Sequence, residues 1–202
     1  GITEAALLVQ AITESSAGGQ GASSVHLNIF GLNPVVVFGS EEQKRRFLPP
    51  LMRGEERACF SITEPNTGSN TLKLRTRAVR DGDHLVVNGQ KVWNSSGALG
   101  QKILLVSLTH EPFSGKLATF GLTLFYTDLD RARVEIRGIE KMSRKSIDAN
   151  SLFIDNLRIP VEDRIGEEGR GFEYILHGLN PERILVAAES IGLGRNALRR
   201  AV

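Results

Sequence analysis

The stretch Ser61-Ile62-Thr63-Glu64-Pro65-Asn66-Thr67-Gly68-Ser69 decides how this chain is read. Residues 58–63 form a β-type run that stops at Pro65, and small polar residues follow. Such a loop presents backbone N–H groups and short hydroxyls, and Gly68 lets a ligand come close to the backbone. That surface suits a flat, heteroatom-edged cofactor or a phosphate. An ordinary polar turn has the same composition, so the loop alone leaves both readings open.

Outward from the loop, residues 58–160 break into short β-type runs separated by turn signals. Runs at 75–80, 84–87 and 90–93 turn at Asp81-Gly82 and Asn88-Gly89, and runs at 103–108, 121–126, 134–137 and 152–159 follow. This alternation predicts an antiparallel β-barrel or sandwich. The flanks read as helix. Ala5, Leu8, Val9 and Ile12 make an apolar stripe that Gly18, Gly19 and Gly21 end, and a second apolar stretch covers 25–38. Ser40-Glu41-Glu42-Gln43 is a capping box opening a short helix whose continuation Pro49-Pro50 limits. From Gly171 helix returns, with Ile184, Leu185, Ala188, Ile191 and Leu198 on one face and Ala187 and Gly192 permitting close packing. The fold class is therefore α+β: a helical segment over 1–56, a central β-domain over 57–165 and the start of a helical bundle over 166–202.

Composition is that of an ordinary globular chain, 202 residues with 41% hydrophobic and 24% charged, enough to bury a core. The formal charge is only +2, and Lys44-Arg45-Arg46 and the arginines of 195–200 read as solvated helix faces. Aromatics are 6% of residues and no basic stripe is interleaved with them, which argues against nucleic acid. The single cysteine, Cys59, excludes an internal disulfide and reads as a buried, inert thiol. His26, His84, His110 and His177 lack metal-ligand spacing, so no metal is expected, and no apolar run is long enough to span a bilayer.

Four further segments keep company with the loop. They are Gln90-Lys91-Val92-Trp93-Asn94-Ser95-Ser96-Gly97, Lys141-Met142, Asp155-Asn156-Leu157-Arg158-Ile159-Pro160 and Asn180-Pro181-Glu182-Arg183. In this order and spacing the set resembles the acyl-CoA dehydrogenase family, whose members carry T-E-P-x-x-G-S, then K-x-W-I-T, then D-x-x-R. The similarity runs from about Ala17 to the C-terminus. It implies a helical domain, a central β-domain and a C-terminal helical bundle in a protein nearly twice this length, so this chain is expected to lack the first helices and most of the bundle.

The resemblance also implies a chemistry. Introducing a double bond between Cα and Cβ of an acyl thioester needs a base for the α-proton and an acceptor for the β-hydride. Side chains do not accept hydride, so FAD must. By resemblance, 60–69 lies along the isoalloxazine, with Phe60 in that loop, the backbone of Ile62 and Thr63 and the Thr63 hydroxyl meeting the pyrimidine edge, and Ser69 turned toward CoA. Trp93 packs against the flavin; a lone tryptophan in a small β-domain would otherwise read as core. Asn94 replaces an apolar residue of the family pattern, and Ser95 stands where a threonine hydroxyl bonds near flavin N5, keeping the hydroxyl but losing the methyl. Asn70 and Ser143 depart from a common Asp and Gly. Asn180 replaces an aspartate that contacts CoA, and Arg183 matches an arginine beside the acyl pocket.

Glu182 matches the base of the isovaleryl-CoA and long-chain branches; most other branches place theirs in late helices beyond this chain. A carboxylate at the head of an apolar helix suits a base of raised pKa, while a plain N-terminal glutamate favoured by the macrodipole is the bland alternative. Implied partners are an acyl-CoA substrate, an electron-transferring flavoprotein or similar acceptor, and further copies of the chain in a homotetramer. A bacterial cytoplasm and a mitochondrial matrix both fit. A flavin oxidase or monooxygenase on the same scaffold, or a non-catalytic flavin-binding relative, are the alternative readings.

Overall fold

The structure, a computed structural model, describes residues 1–30, 32–110 and 120–202. The side chains of 26–30, His26 included, and Gly31 lie outside the described residues, and with them part of the apolar stretch read over 25–38. The element order is α1 (Ile2–Glu14), α2 (Gly18–Phe30), α3 (Asn33–Phe38), α4 (Glu41–Met52), β1 (Ala58–Ser61), β2 (Arg77–Asp81), β3 (His84–Asn94), β4 (Lys102–Leu108), β5 (Leu122–Asp128), β6 (Val134–Gly138), β7 (Asn150–Pro160), β8 (Arg164–Ile165) and α5 (Gly171–Ala201). Helix, then sheet, then helix is the order expected from the turn signals.

Two compact units divide these elements. One holds residues 34–140 and 148–175, the other 1–33, 141–147 and 176–202. In the first, an eight-stranded sheet runs β6-β7-β3-β2-β4-β5-β8, with β1 paired to β4 beside that path. The sheet is mixed rather than wholly antiparallel, because β1 and β2 both run parallel to β4. They share one edge of it: Ala58–Ser61 pairs with 102–105, and Arg77 pairs with Leu108. The sheet curls around a core of residues such as Leu85, Ile103, Phe125, Leu152 and Ile159, but its end strands do not pair, so it is open rather than a closed barrel. α4 docks through Gln43, whose amide donates to the carbonyls of Glu162 and Arg164 at 2.6 and 2.8 Å.

The capping box at Ser40 forms, with Gln43 N–H donating to Ser40 Oγ at 3.1 Å and Ser40 N–H to Gln43 Oε1 at 2.9 Å. Pro49 and Pro50 do not stop that helix, which continues to Met52. They sit in its last turns, where each removes only one ladder donor, and the end is closed by Arg53 N–H on the Pro49 carbonyl at 3.1 Å. A second correction concerns Asn88-Gly89. It is not a hairpin turn: β3 is continuous, and the irregularity is a bulge in which 87–89 of β3 faces 154–157 of β7. The extra residue belongs to β7, where Asn156 takes φ 54° and its N–H donates to Asn88 Oδ1 at 2.8 Å.

In the helical unit, Val9, Ala22, Leu185 and Ala188 form a small core. The glycines after α1 open α2 instead of merely ending α1, and a Cβ at Gly21 would lie 2.8 Å from Ala17 Cβ and 2.9 Å from Ile12 Cγ2. Gly192 does permit close packing: a Cβ there would fall 2.1 Å from Thr13 Oγ1. The apolar stripe read on α5 divides, since Leu185 and Ala188 are buried while Ile184, Ile191 and Leu198 are exposed.

Candidate functional site

Residues 62–76 leave the sheet between β1 and β2 and return to the same edge of β4, where Leu108 N–H donates to the Thr76 carbonyl at 2.7 Å. The tip is a tight turn, with reciprocal 3.0 Å bonds between the backbones of Glu64 and Thr67. Pro65, Asn66, Gly68 and Ser69 are exposed around it, and a Cβ at Gly68 would meet nothing within 4 Å. Ile62 is buried, while Phe60 and Thr63 are half-buried. The Thr63 carbonyl accepts from Val92 N–H at 2.9 Å, which ties the loop to β3.

Beneath the loop lies a buried ion pair. Lys91 Nζ, wholly enclosed, donates to Glu64 Oε1 at 3.0 Å and to the Ile62 carbonyl at 2.9 Å. The same carboxylate accepts from the N–H groups of Arg75 and Thr76 at 2.7 and 2.9 Å. Burial pushes the Lys91 ammonium down to about 8, against the pull of Glu64 toward the charged form. Burial opposes the Glu64 carboxylate too, but Lys91 and hydrogen bonds from Thr76 and Arg75 outweigh it and hold the carboxyl below its ordinary value. Both groups are charged at neutral pH. Both residues stand inside the sequence motifs, where their types alone assign neither of them a role. The signal was parity: Lys91 falls on the inward face of β3 with Leu85 and Val87.

Trp93 is not core. It is 60% exposed with φ 62°, because a second bulge sets 91–94 of β3 against 150–152 of β7. The extra residue lets Lys91 and Asn94 both point inward and turns Trp93 outward beside the loop. Asn94 is buried, its amide donating to the Asn150 carbonyl at 3.2 Å, and its Oδ1 has no partner among the described residues. The half-buried Ser95 opens the turn that follows. Asp148 holds that turn by accepting from the N–H groups of Ser96 and Ala98 at 2.6 and 2.8 Å. Arg131 holds it from the other side by donating to the carbonyls of Ala98 and Gly100 at 3.0 and 2.8 Å. Neither Asp148 nor Arg131 was singled out in the sequence. Cys59 is buried and its thiol is pushed up to about 12 by that burial, as an inert thiol should be.

Asn180, Glu182 and Arg183 belong to the helical unit. They do not head a helix. α5 begins at Gly171 and carries Pro181 inside it, so Glu182 is mid-helix and gains nothing from an N-terminal dipole. Pro181 removes the N–H that would bond the His177 carbonyl four residues back, and Asn33 Nδ2 takes its place at 2.7 Å. Arg183 donates to Asn180 Oδ1 across one turn, with both residues exposed and Glu182 half-buried. Elsewhere in this unit Arg144 bonds the buried Glu189 at 2.9 Å, and Lys141 donates to the Arg144 and Ile147 carbonyls.

Residues 59–157 match the acyl-CoA dehydrogenase middle domain and residues 1–55 the N-terminal domain of the same family. The chain belongs to the acyl-CoA dehydrogenase family. It is 37% identical over 168 residues to the acyl-CoA dehydrogenase FadE12 of Mycobacterium bovis, covering 83% of this chain and 42% of that one. It superposes on butyryl-CoA dehydrogenase from Megasphaera elsdenii with a TM-score of 0.85 at 27% identity, covering 96% of this chain and 50% of the other. A glutaryl-CoA dehydrogenase from Mycobacterium smegmatis in complex with FADH2 gives 0.83 at 28% identity, with 96% and 48% covered. The chain thus spans about half the length of these relatives, or somewhat less. Members of this family are flavoproteins, and three features here fit a flavin: the open loop tip, the outward Trp93 ring, and the buried Asn94 Oδ1, which has no partner among the described residues. Among the described residues, no group of three or more His, Cys, Asp or Glu is placed to hold a metal ion, and no helix is long and apolar enough to cross a membrane.

Proposed function

We propose that the chain is the flavin- and acyl-CoA-binding part of an FAD-dependent dehydrogenase that introduces a Cα–Cβ double bond into an acyl-CoA thioester. One observation carries the reading: the lone tryptophan stands exposed on a bulge beside the 62–69 loop, in a chain of this family. The bound FAD supplies the hydride acceptor that no side chain provides. Ile62 and Thr63 would offer backbone groups and a hydroxyl to the flavin edge, Ser95 would offer its hydroxyl near N5, and Phe60, Trp93 and Asn94 would help to hold the ring. Ser69 faces the CoA side of the substrate. In the helical unit, Asn180 bonds the CoA portion, Arg183 holds Asn180 in place, and Glu182 removes the α-proton. The three-part division at 56 and 165 is proposed on the same footing, as are a homotetramer and an electron-transferring flavoprotein or similar acceptor.

The test is anaerobic reduction of the full-length, FAD-loaded protein by an acyl-CoA substrate, in the parent and in Glu182→Gln. Gln keeps volume and hydrogen bonding, so flavin spectrum and acyl-CoA affinity should hold while reduction slows by ~10²–10⁴-fold. Reduction at the parental rate would place the base elsewhere.

A further inference from the structure

We infer that Lys91 and Glu64 are positioning residues, which together aim the Thr63 backbone N–H at the flavin edge and strengthen it as a donor. The inference rests on the FAD reading above and deepens it. Lys91 Nζ grips the Ile62 carbonyl from inside at 2.9 Å. A trans peptide points its C=O and N–H in opposite directions, so the Thr63 N–H of the same peptide points away from the interior, toward the open side of the loop. That N–H has no partner among the described residues. The next carbonyl, of Thr63, is fixed by Val92 N–H, and Glu64 is fixed at both oxygens. The Ile62 and Thr63 carbonyls and both Glu64 oxygens are thereby committed, while the Thr63 N–H is not.

Placement alone would need only a neutral donor. A buried ammonium does more, because hydrogen bonds in series polarise one another and a charged donor on the carbonyl makes the N–H at the other end of the peptide a better donor. Such a donor favours an acceptor edge that carries negative charge, as the pyrimidine edge of reduced flavin does, over the neutral oxidised ring. The pair therefore tunes the flavin toward reduction as well as holding it. Glu64 keeps the ammonium charged in an interior that would otherwise drive it neutral. Its bonds to Arg75 and Thr76 hold the far end of the excursion, so that loosening the pair frees the loop at both feet.

The experiment compares full-length parent, Lys91→Met and the double variant Lys91→Met/Glu64→Gln. Removing one partner alone strands a buried charge, and the double variant avoids that while still lacking the ammonium. Far-UV circular dichroism and a thermal midpoint within a few degrees of parent establish that the double variant folds. Two further quantities are read. Amide exchange at Val92 and Thr76 in flavin-free protein reports the loop, and FAD affinity with the flavin midpoint potential reports the aim. Positioning predicts faster exchange, FAD affinity lower by about tenfold or more, and a potential lower by roughly 30 mV, which is a further tenfold weakening of the reduced relative to the oxidised form for a two-electron couple. A folded double variant with parental FAD affinity and potential, whatever its exchange rates, would show the pair to be purely structural and overturn the inference. A parent that takes up no FAD overturns the FAD reading itself, and this inference with it. If the double variant does not fold, Lys91→Arg decides: it keeps the charge and moves the donor, so a parental potential there overturns the inference and a lowered one supports it.

Discussion

A tryptophan in the left-handed region costs of order 1–3 kcal/mol of backbone energy, and at Trp93 that cost is borne without burying the ring. Packing does not explain it. Trp93→Gly should therefore leave thermal stability unchanged or raise it, since glycine adopts φ 62° freely, while FAD retention falls by roughly 1–3 kcal/mol of lost ring contact. A thermal scan with flavin fluorescence reads both; a stability loss of about 3–5 kcal/mol, as for a core tryptophan, would refute the assignment. Glu64 makes a separate prediction through pH. Its folded pKa is depressed, so its contribution is fully present above the ordinary value of 4.5 and is lost as pH falls through the folded value. Urea midpoints between about pH 3 and 7 should show the gap between parent and Glu64→Gln narrowing on acidification below that value. A gap that stays constant with pH would mean the carboxylate is not held by these partners.

At the scale of elements, what was legible followed from local chemistry. Asp81-Gly82 turned the chain as its composition demands, Ser40 capped α4, and the strands at 102–108, 122–128, 134–138 and 150–160 lay where β-type runs between turn signals put them. What failed depended on partners distant in sequence. Asn88-Gly89 and Asp155-Asn156 both carry turn signals, and only their pairing across β3 and β7 makes one shared bulge of them. Trp93 could not be seen facing outward without the bulge, and β1 could not be seen parallel to β4, because parity says nothing about direction. Glu182 reads as the head of a helix, whereas α5 runs through Pro181, and Asn33, far away in sequence, donates to the His177 carbonyl that the missing Pro181 N–H would have served. That substitution can be tested. Asn33→Ala should cost about 0.5–1.5 kcal/mol in the parent and close to nothing in Pro181→Ala, where the helix supplies its own donor, so chemical denaturation of the four proteins should give a coupling of that size. Additive effects would show the two positions to be unconnected.

At the scale of the whole molecule, the described residues include a large hydrophobic core inside the curled sheet and a small one among α1, α2 and α5, while Phe47 and Tyr126 pack together outside both. The small core is made possible by close backbone approach rather than bulk. At Gly192 an added Cβ would lie 2.1 Å from Thr13 Oγ1 and 2.4 Å from the Gln10 carbonyl, and Thr13 is itself tied to the Val9 carbonyl at 2.9 Å. A methyl there cannot be accommodated by rotating one side chain, because the carbonyl it meets is backbone. The large core fails in the opposite way: Leu152 is fully enclosed, and truncating it leaves a cavity. Gly192→Ala should cost about 1–3 kcal/mol by overpacking and Leu152→Ala about 2–5 kcal/mol by underpacking. Amide exchange should separate them, since each defect opens its own core first: residues 1–33 and 176–202 for the glycine variant, the strands between 77 and 160 for the leucine variant. Uniform acceleration across the chain in Gly192→Ala would mean that the helical core has no stability of its own to lose, and that the close approach at Thr13 matters only through global unfolding.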